Sequence, residues 1–255
     1  TAVMEVMTWA GILLVVFVGS YVQAVAGFAM GMIIVAVVGG LGLLDLPTLG
    51  AVVSLLTILN VVLSLRGQTH HVHRKLFLWL ALGQIPAIYL GLQLMTWLDG
   101  NTLWILELCL GLFITIGGLS MMVKPHPWAQ VSGPWVTWMT GVSGGLMGGM
   151  FSASGPILGW FGYSQPLSLA PIRATLFASF ILTTTTRTVF VGVEGGLTKT
   201  VFAYALAAMP LVVLGTWLGR NFAPPVGEAV IKRAAYFLLL GMGVWILLRV
   251  GIARL

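Results

Sequence analysis

Residues 6–44 read VMTWAGILLVVFVGSYVQAVAGFAMGMIIVAVVGGLGLL, thirty-nine positions without an ionised side chain between Glu5 and Asp45. A bilayer core of about 30 Å takes roughly 20 apolar residues per helix, so this stretch holds two membrane segments. The turn that should part them, Ala26-Gly27-Phe28-Ala29-Met30-Gly31, is itself apolar and glycine-rich. A turn in water would be polar. Irregular backbone at membrane depth survives only where protein buries it or where it lines a cavity. The expectation is a broken or re-entrant helical hairpin whose tip stays inside the protein. A second ion-free stretch lies between Lys124 and Arg173, and its expected tip is Gly144-Gly145-Leu146-Met147-Gly148-Gly149. Close helix packing through small residues is the competing reading of both glycine clusters.

Outward from these hairpins, the rest of the chain is equally apolar. It has 255 residues, 59% hydrophobic and 7% charged, where a soluble domain carries about 25% charged residues. Mean hydropathy is +1.05. Soluble and disordered classes are excluded, and missing strand alternation argues against an outer-membrane barrel. Glu5, with no Lys or Arg before the first apolar run, gives no expectation of a cleavable leader. The net charge of +6 comes from Lys and Arg dispersed in short loops, which orients a membrane protein and predicts no nucleic-acid partner. Cys109 is the single cysteine, so neither a disulfide nor a cysteine metal cluster forms within the chain.

Apolar runs predict ten segments in two sets of five: 6–25, 27–44, 47–65, 76–98 and 102–123, then 131–148, 150–164, 167–192, 198–219 and 230–250. Shifting the chain by 124 residues aligns Gly31 with Gly155, Pro47 with Pro171, Pro86 with Pro210, and Leu90-Gly91 with Leu214-Gly215. Two proline pairs under one shift mark a duplication, with repeats 1–125 and 126–255. Five segments per repeat is odd, so the second repeat enters from the opposite face, the inverted plan of many secondary transporters. If loop 66–75 is cytoplasmic, that side collects Arg66, Arg74, Lys75, Lys124, Arg220, Lys232 and Arg233, against Lys199, Arg249 and Arg254 outside. Seven against three predicts both termini outside.

Arg173 and Arg187 share a helix face about 21 Å apart, at 1.5 Å per residue. A guanidinium within a membrane costs at least about 2.5–3.5 kcal/mol unless it meets a cavity or partner. Its planar fork suits an oxyanion, and snorkelling to headgroups is the alternative. Asn60 and Thr184 align under the shift, within the stripes Ser54, Thr57, Asn60, Ser64 and Thr183–Thr186. Gln23, Ser152 and Ser154 are neutral donors beside the glycine turns. Glu107 lies inside a segment, where it would carry a coupling proton or pair with an arginine. His70, His71 and His73 share a basic loop and are read as a solvated turn.

Gly27-Phe28-x-x-Gly31 followed by Pro47, repeated as Ser152-Ala153-Ser154-Gly155-Pro156 and Pro171-x-Arg173-Ala174, resembles the sulfite exporter TauE/SafE family, of the toluene sulfonate uptake permease superfamily. The likeness covers nearly the whole chain. It implies a multi-pass bacterial inner-membrane transporter exporting a small sulfur-containing anion such as sulfite or sulfoacetate, with no cofactor and no resident metal. The expected anion site joins Gln23, Gly27, Phe28, Gly31, Asn60, Ser152, Ser154, Gly155, Arg173, Thr184 and Arg187, with the lipid bilayer and a second copy of the chain as further partners. An anion channel, or an uptake permease for another oxyanion, shares these features. A rhomboid-like protease is the enzyme alternative on Ser152-Ala153-Ser154-Gly155, but no histidine lies within a membrane segment to act as its base.

Overall fold

The computed structural model describes residues 2–222 and 225–254. Among them there are ten α-helices and no strand. The first, α1 (Ala2–Ala26), stops where Gly27 and Ala29 take φ of 87° and 92°. The chain then doubles back as α2 (Met30–Ile34), continued by a π-helical turn over Val35–Gly39. Gly19 of α1 lies against Met30 and Ile34, so the two arms are antiparallel. At 1.5 Å per residue the return arm covers about half of a bilayer core. Asp45 accepts from the Thr48 N–H at 2.9 Å and, with Pro47, starts α3 (Leu46–Leu65). Then come α4 (Arg74–Asn101), interrupted by Pro86, and α5 (Leu103–Met122).

The second half repeats this order. Here α6 (Pro134–Phe151) ends at Ser152, whose φ is 55°, and α7 (Gly155–Tyr163) returns beside it, with Gly144 against Leu158. They are followed by α8 (Leu169–Val193), α9 (Lys199–Asn221) with Pro210 inside it, and α10 (Glu228–Ile252). Among the described residues, seven helices are long and apolar enough to cross a membrane: α1, α3, α4, α5, α8, α9 and α10. This is a multi-pass membrane protein, and Leu78, Leu82, Leu90 and Trp97 of α4 are exposed as lipid contact requires.

One expectation is corrected. Residues 144–149 form no turn: they lie inside α6, and the chain reverses at 152–154. Gly141, Gly145 and Gly149 recur every fourth residue on one face and meet the α4 backbone at Leu80, Gln84 and Ile88. From α4, Gly83 and Gly91 return the contact against Trp138 and Leu146. Without Cβ atoms two helices approach backbone to backbone, so these glycines serve packing. The most extensive helix pairings are α4 with α6, α5 with α10, α1 with α9, and α3 with α8. Each joins a helix from residues 1–125 to one from 126–255.

Candidate functional site

The two hairpin turns meet each other. A Cβ on Gly31 would stand 2.6 Å from the Ser152 carbonyl oxygen, and one on Gly155 3.5 Å from the Ala29 nitrogen. Phe28 lies over Gly159 and edge-on to Tyr163, with centroids 6.1 Å apart. Thus α2 and α7 begin close together and run apart. The first-turn N–H groups of a helix have no intrahelical acceptor, and helix N-termini carry partial positive charge. Two such ends converge here, which is an arrangement for an anion.

Between them lies a cavity of about 20 Å³. Gln23 reaches it from α1, and Ala29, Gly31 and Met32 from the first turn. Thr57 contributes from α3, Ser152 to Gly155 from the second turn, and Phe180, Thr183 and Thr184 from α8. One or two waters fill such a space. A sulfite-sized ion needs the turns to part.

Two polar networks support the walls. Gln23 accepts from the Met30 N–H at 3.0 Å and donates to Asn60 Oδ1 at 2.7 Å. Asn60 in turn donates to Thr216 Oγ1 at 2.7 Å and to the Ser20 carbonyl. This network joins α1, α2, α3 and α9. On the other side Ser152 Oγ is 2.7 Å from Ser54 Oγ, which accepts from Arg187 Nη1 at 3.3 Å. Arg187 Nε donates to the Gly149 carbonyl at 2.9 Å, and its side chain lies on Gly50, where a Cβ would stand 2.5 Å from Nη2. Gln84 donates to Thr183 Oγ1 at 3.1 Å. Thr57 Oγ1 is buried with no hydrogen-bond partner.

Of the residues singled out from sequence, Gln23, Gly31, Ser152, Ser154, Gly155 and Thr184 line the cavity. Gly27 and Phe28 form the first turn beside it. Asn60 stands directly behind Gln23, Arg187 stands behind Ser54, which itself backs Ser152, and Arg187 is fully buried. Arg173 lies outside the cavity lining, where it donates to the Val25 carbonyl near the end of α1. Glu107 is also outside that lining and pairs with Arg249 at 2.8 Å, the second of the two roles left open for it. His73 caps α4, accepting from the Leu76 N–H, and no group of three metal-ligating side chains occurs among the described residues. Ala29, Met32, Thr57, Ala153, Phe180 and Thr183 are the lining residues that sequence reasoning left off the site. Thr57 had a signal, since it falls in the same polar stripe as Ser54 and Asn60.

Interrupted hairpins meeting at a partly polar cavity inside a multi-pass helical protein make up the architecture of a membrane transporter. The chain belongs to the sulfite exporter TauE/SafE family, which matches residues 12–246. A protein of Cupriavidus necator named probable sulfite/organosulfonate exporter TauE is 40% identical to it over 230 residues, 90% of each chain. No solved structure matches the chain significantly.

Proposed function

We propose that this protein carries sulfite or a small organosulfonate outward across the bacterial inner membrane by alternating access. The observation that carries this reading is the cavity where the two hairpin turns meet, lined by Gln23, Ser152, Ser154 and Thr184, with the unpartnered Thr57 hydroxyl in its wall. Sulfite and sulfonates present oxygens to N–H and hydroxyl donors, which is what Gly31, Gly155, Ser152, Ser154, Thr57 and Thr184 offer there. Family membership and the Cupriavidus relative supply the substrate class.

Repeats 1–125 and 126–255 are related by inversion in this reading. Exchanging α1–α5 for α6–α10 turns the α4–α6 pairing into α9–α1 and maps the α3–α8 and α5–α10 pairings onto themselves, as a pseudo-two-fold requires. The cytoplasmic face carries Arg66, Arg74, Arg220 and Lys232, with both termini outside. Access alternates as the α1–α9 pair moves against the α4–α6 pair and the turns part. Proteoliposomes holding the purified protein test the reading with labelled sulfite, sulfoacetate, taurine and sulfate. Saturable flux of sulfite or sulfoacetate is expected, and flux of none of them overturns it.

A further inference from the structure

We infer that Arg187 acts on the transported anion through a relay of two serine hydroxyls, Ser54 and Ser152, whose hydrogen-bond direction reverses when the anion binds. The inference rests on the cavity being the anion site.

Proton bookkeeping carries it. Ser54 Oγ has three neighbours: the Gly50 carbonyl at 2.8 Å, Ser152 Oγ at 2.7 Å and Arg187 Nη1 at 3.3 Å. A hydroxyl has one proton and two lone pairs, a carbonyl only accepts, and a guanidinium only donates. All three contacts are made at once in a single way. Ser54 donates to Gly50, and accepts from both Arg187 and Ser152. The Ser152 proton then points away from the cavity, and its lone pairs face the place where an anion would rest.

Anion binding reverses this. Ser152 turns its proton to an anion oxygen, and Ser54 turns its own from the Gly50 carbonyl to Ser152 Oγ. The Gly50 carbonyl is not left unpaired, because it keeps the backbone bond from residue 54 within α3. Arg187 donates to Ser54 in both states and polarises the hydroxyl in the bound one. Its fork is held by the Gly149 carbonyl and by the glycine at position 50, where a side chain would displace it. Arg187 is therefore a positioning residue: it touches no substrate, yet its charge reaches the cavity along two hydrogen bonds. Only an anion with a lone pair toward Ser152 gains from the reversal, as a fully ionised sulfite or sulfonate oxygen does.

A double-mutant cycle on the purified full-length protein tests this, with sulfite binding read by calorimetry and folding by thermal midpoint. Ser54→Ala, Ser152→Ala and Arg187→Gln should each weaken sulfite binding by about tenfold. Ser54→Ala combined with Arg187→Gln should bind no worse than the weaker single variant, because both break one path. Multiplied losses overturn the relay, since Arg187 would then act by another route. If Ser152→Ala weakens binding and Ser54→Ala does not, the relay fails and the site stands. Parent-like binding by Ser152→Ala ends both. Ser54→Ala also leaves a buried guanidinium donor without its acceptor, so its thermal midpoint should fall, and Ser54→Thr, which keeps the hydroxyl, should restore both midpoint and binding. If Arg187→Gln does not fold, Arg187→Lys takes its place in the same cycle, as it keeps the charge but not both donor contacts.

Discussion

Two glycines ten residues apart should respond to alanine in opposite ways. At Gly145 the added Cβ stands 2.7 Å from the Gln84 carbonyl oxygen, 2.8 Å from Gln84 Cα and 3.0 Å from Ala87 Cβ. Carbon contacts prefer about 3.5–4.0 Å, so α4 would have to retreat by most of an ångström. Its neighbours forbid that, because Gly83 and Gly91 hold the same helix against α6 on either side. Overpacking of this kind costs about 1–3 kcal/mol. At about 2–4 °C per kcal/mol for a chain of this size, the thermal midpoint should fall by roughly 2–12 °C. At Gly155 the nearest atoms are 3.5 and 3.7 Å away, ordinary contact, and its backbone has no positive φ that alanine would strain. Gly155→Ala should therefore fold as stably as the parent. Its methyl group is about the size of a water, however, and enters a cavity of about 20 Å³ between the turns. Sulfite binding should weaken by at least tenfold, about 1.4 kcal/mol. Thermal denaturation in detergent and sulfite flux in proteoliposomes separate the two effects. An unshifted midpoint for Gly145→Ala, or parent-like flux for Gly155→Ala, would refute the assignment of one glycine to packing and the other to the site.

Ala29 holds φ at 92°, where an L side chain is strained by about 1–2 kcal/mol. Ala29→Gly should raise stability by about 0.5–1 kcal/mol after the added chain entropy of glycine, and a lowered thermal midpoint would contradict this. Glu107→Gln should leave the pH profile of sulfite flux unchanged, since Glu107 is committed to Arg249; a flattened profile would return it to proton coupling. In a Cys109→Ser background, cysteines at positions 68 and 227 should label from one face and those at 100 and 195 from the other. Labelling of 100 and 227 from the same face would end the inverted arrangement.

The fold was largely legible because membrane burial leaves a coarse signal. Runs such as 47–65 and 198–219 return as α3 and α9 within a residue or two. Paired prolines are what suggests a duplication, because substitutions among Leu, Ala and Val do not blur them. The second turn was misplaced because glycine answers two demands alike. It serves positive φ at Gly27 and close approach at Gly145, and a sequence shows neither a dihedral angle nor a neighbour. Ser152 makes the reversal with its own φ of 55°, and nothing in its chemistry announces that. Arg187 was visible as an unusual charge, but its place behind Ser54 was not. That depends on the missing side chain of Gly50, on a helix more than 130 residues away in sequence.

The interfaces also decide which parts can move. Gly149 meets Ile88, and Gly91 meets Leu146, backbone against backbone, so α4 and α6 cannot slide without collision. A weaker form joins α1 to α9, where Cβ atoms on Gly215 and Gly219 would stand 2.8 Å from the Phe17 and 2.9 Å from the Tyr21 carbonyl oxygens. The tightest contacts therefore join helices of residues 1–125 to helices of 126–255, and an exchange of inverted halves, as proposed, would swap the α4–α6 pair for the α1–α9 pair. An inward-open and an outward-open form related by that exchange would need motion only between these pairs, where the turns meet. Spin labels on exposed positions can follow it. Leu82 with Met139 reports within the α4–α6 unit, Leu14 with Leu206 within the α1–α9 unit, and Leu90 with Leu214 between them. Sulfite should leave the first two distances unchanged and shift the third by several ångströms. A shift between Leu82 and Met139 would mean that the glycine contact opens, and that the repeats themselves rock as bodies.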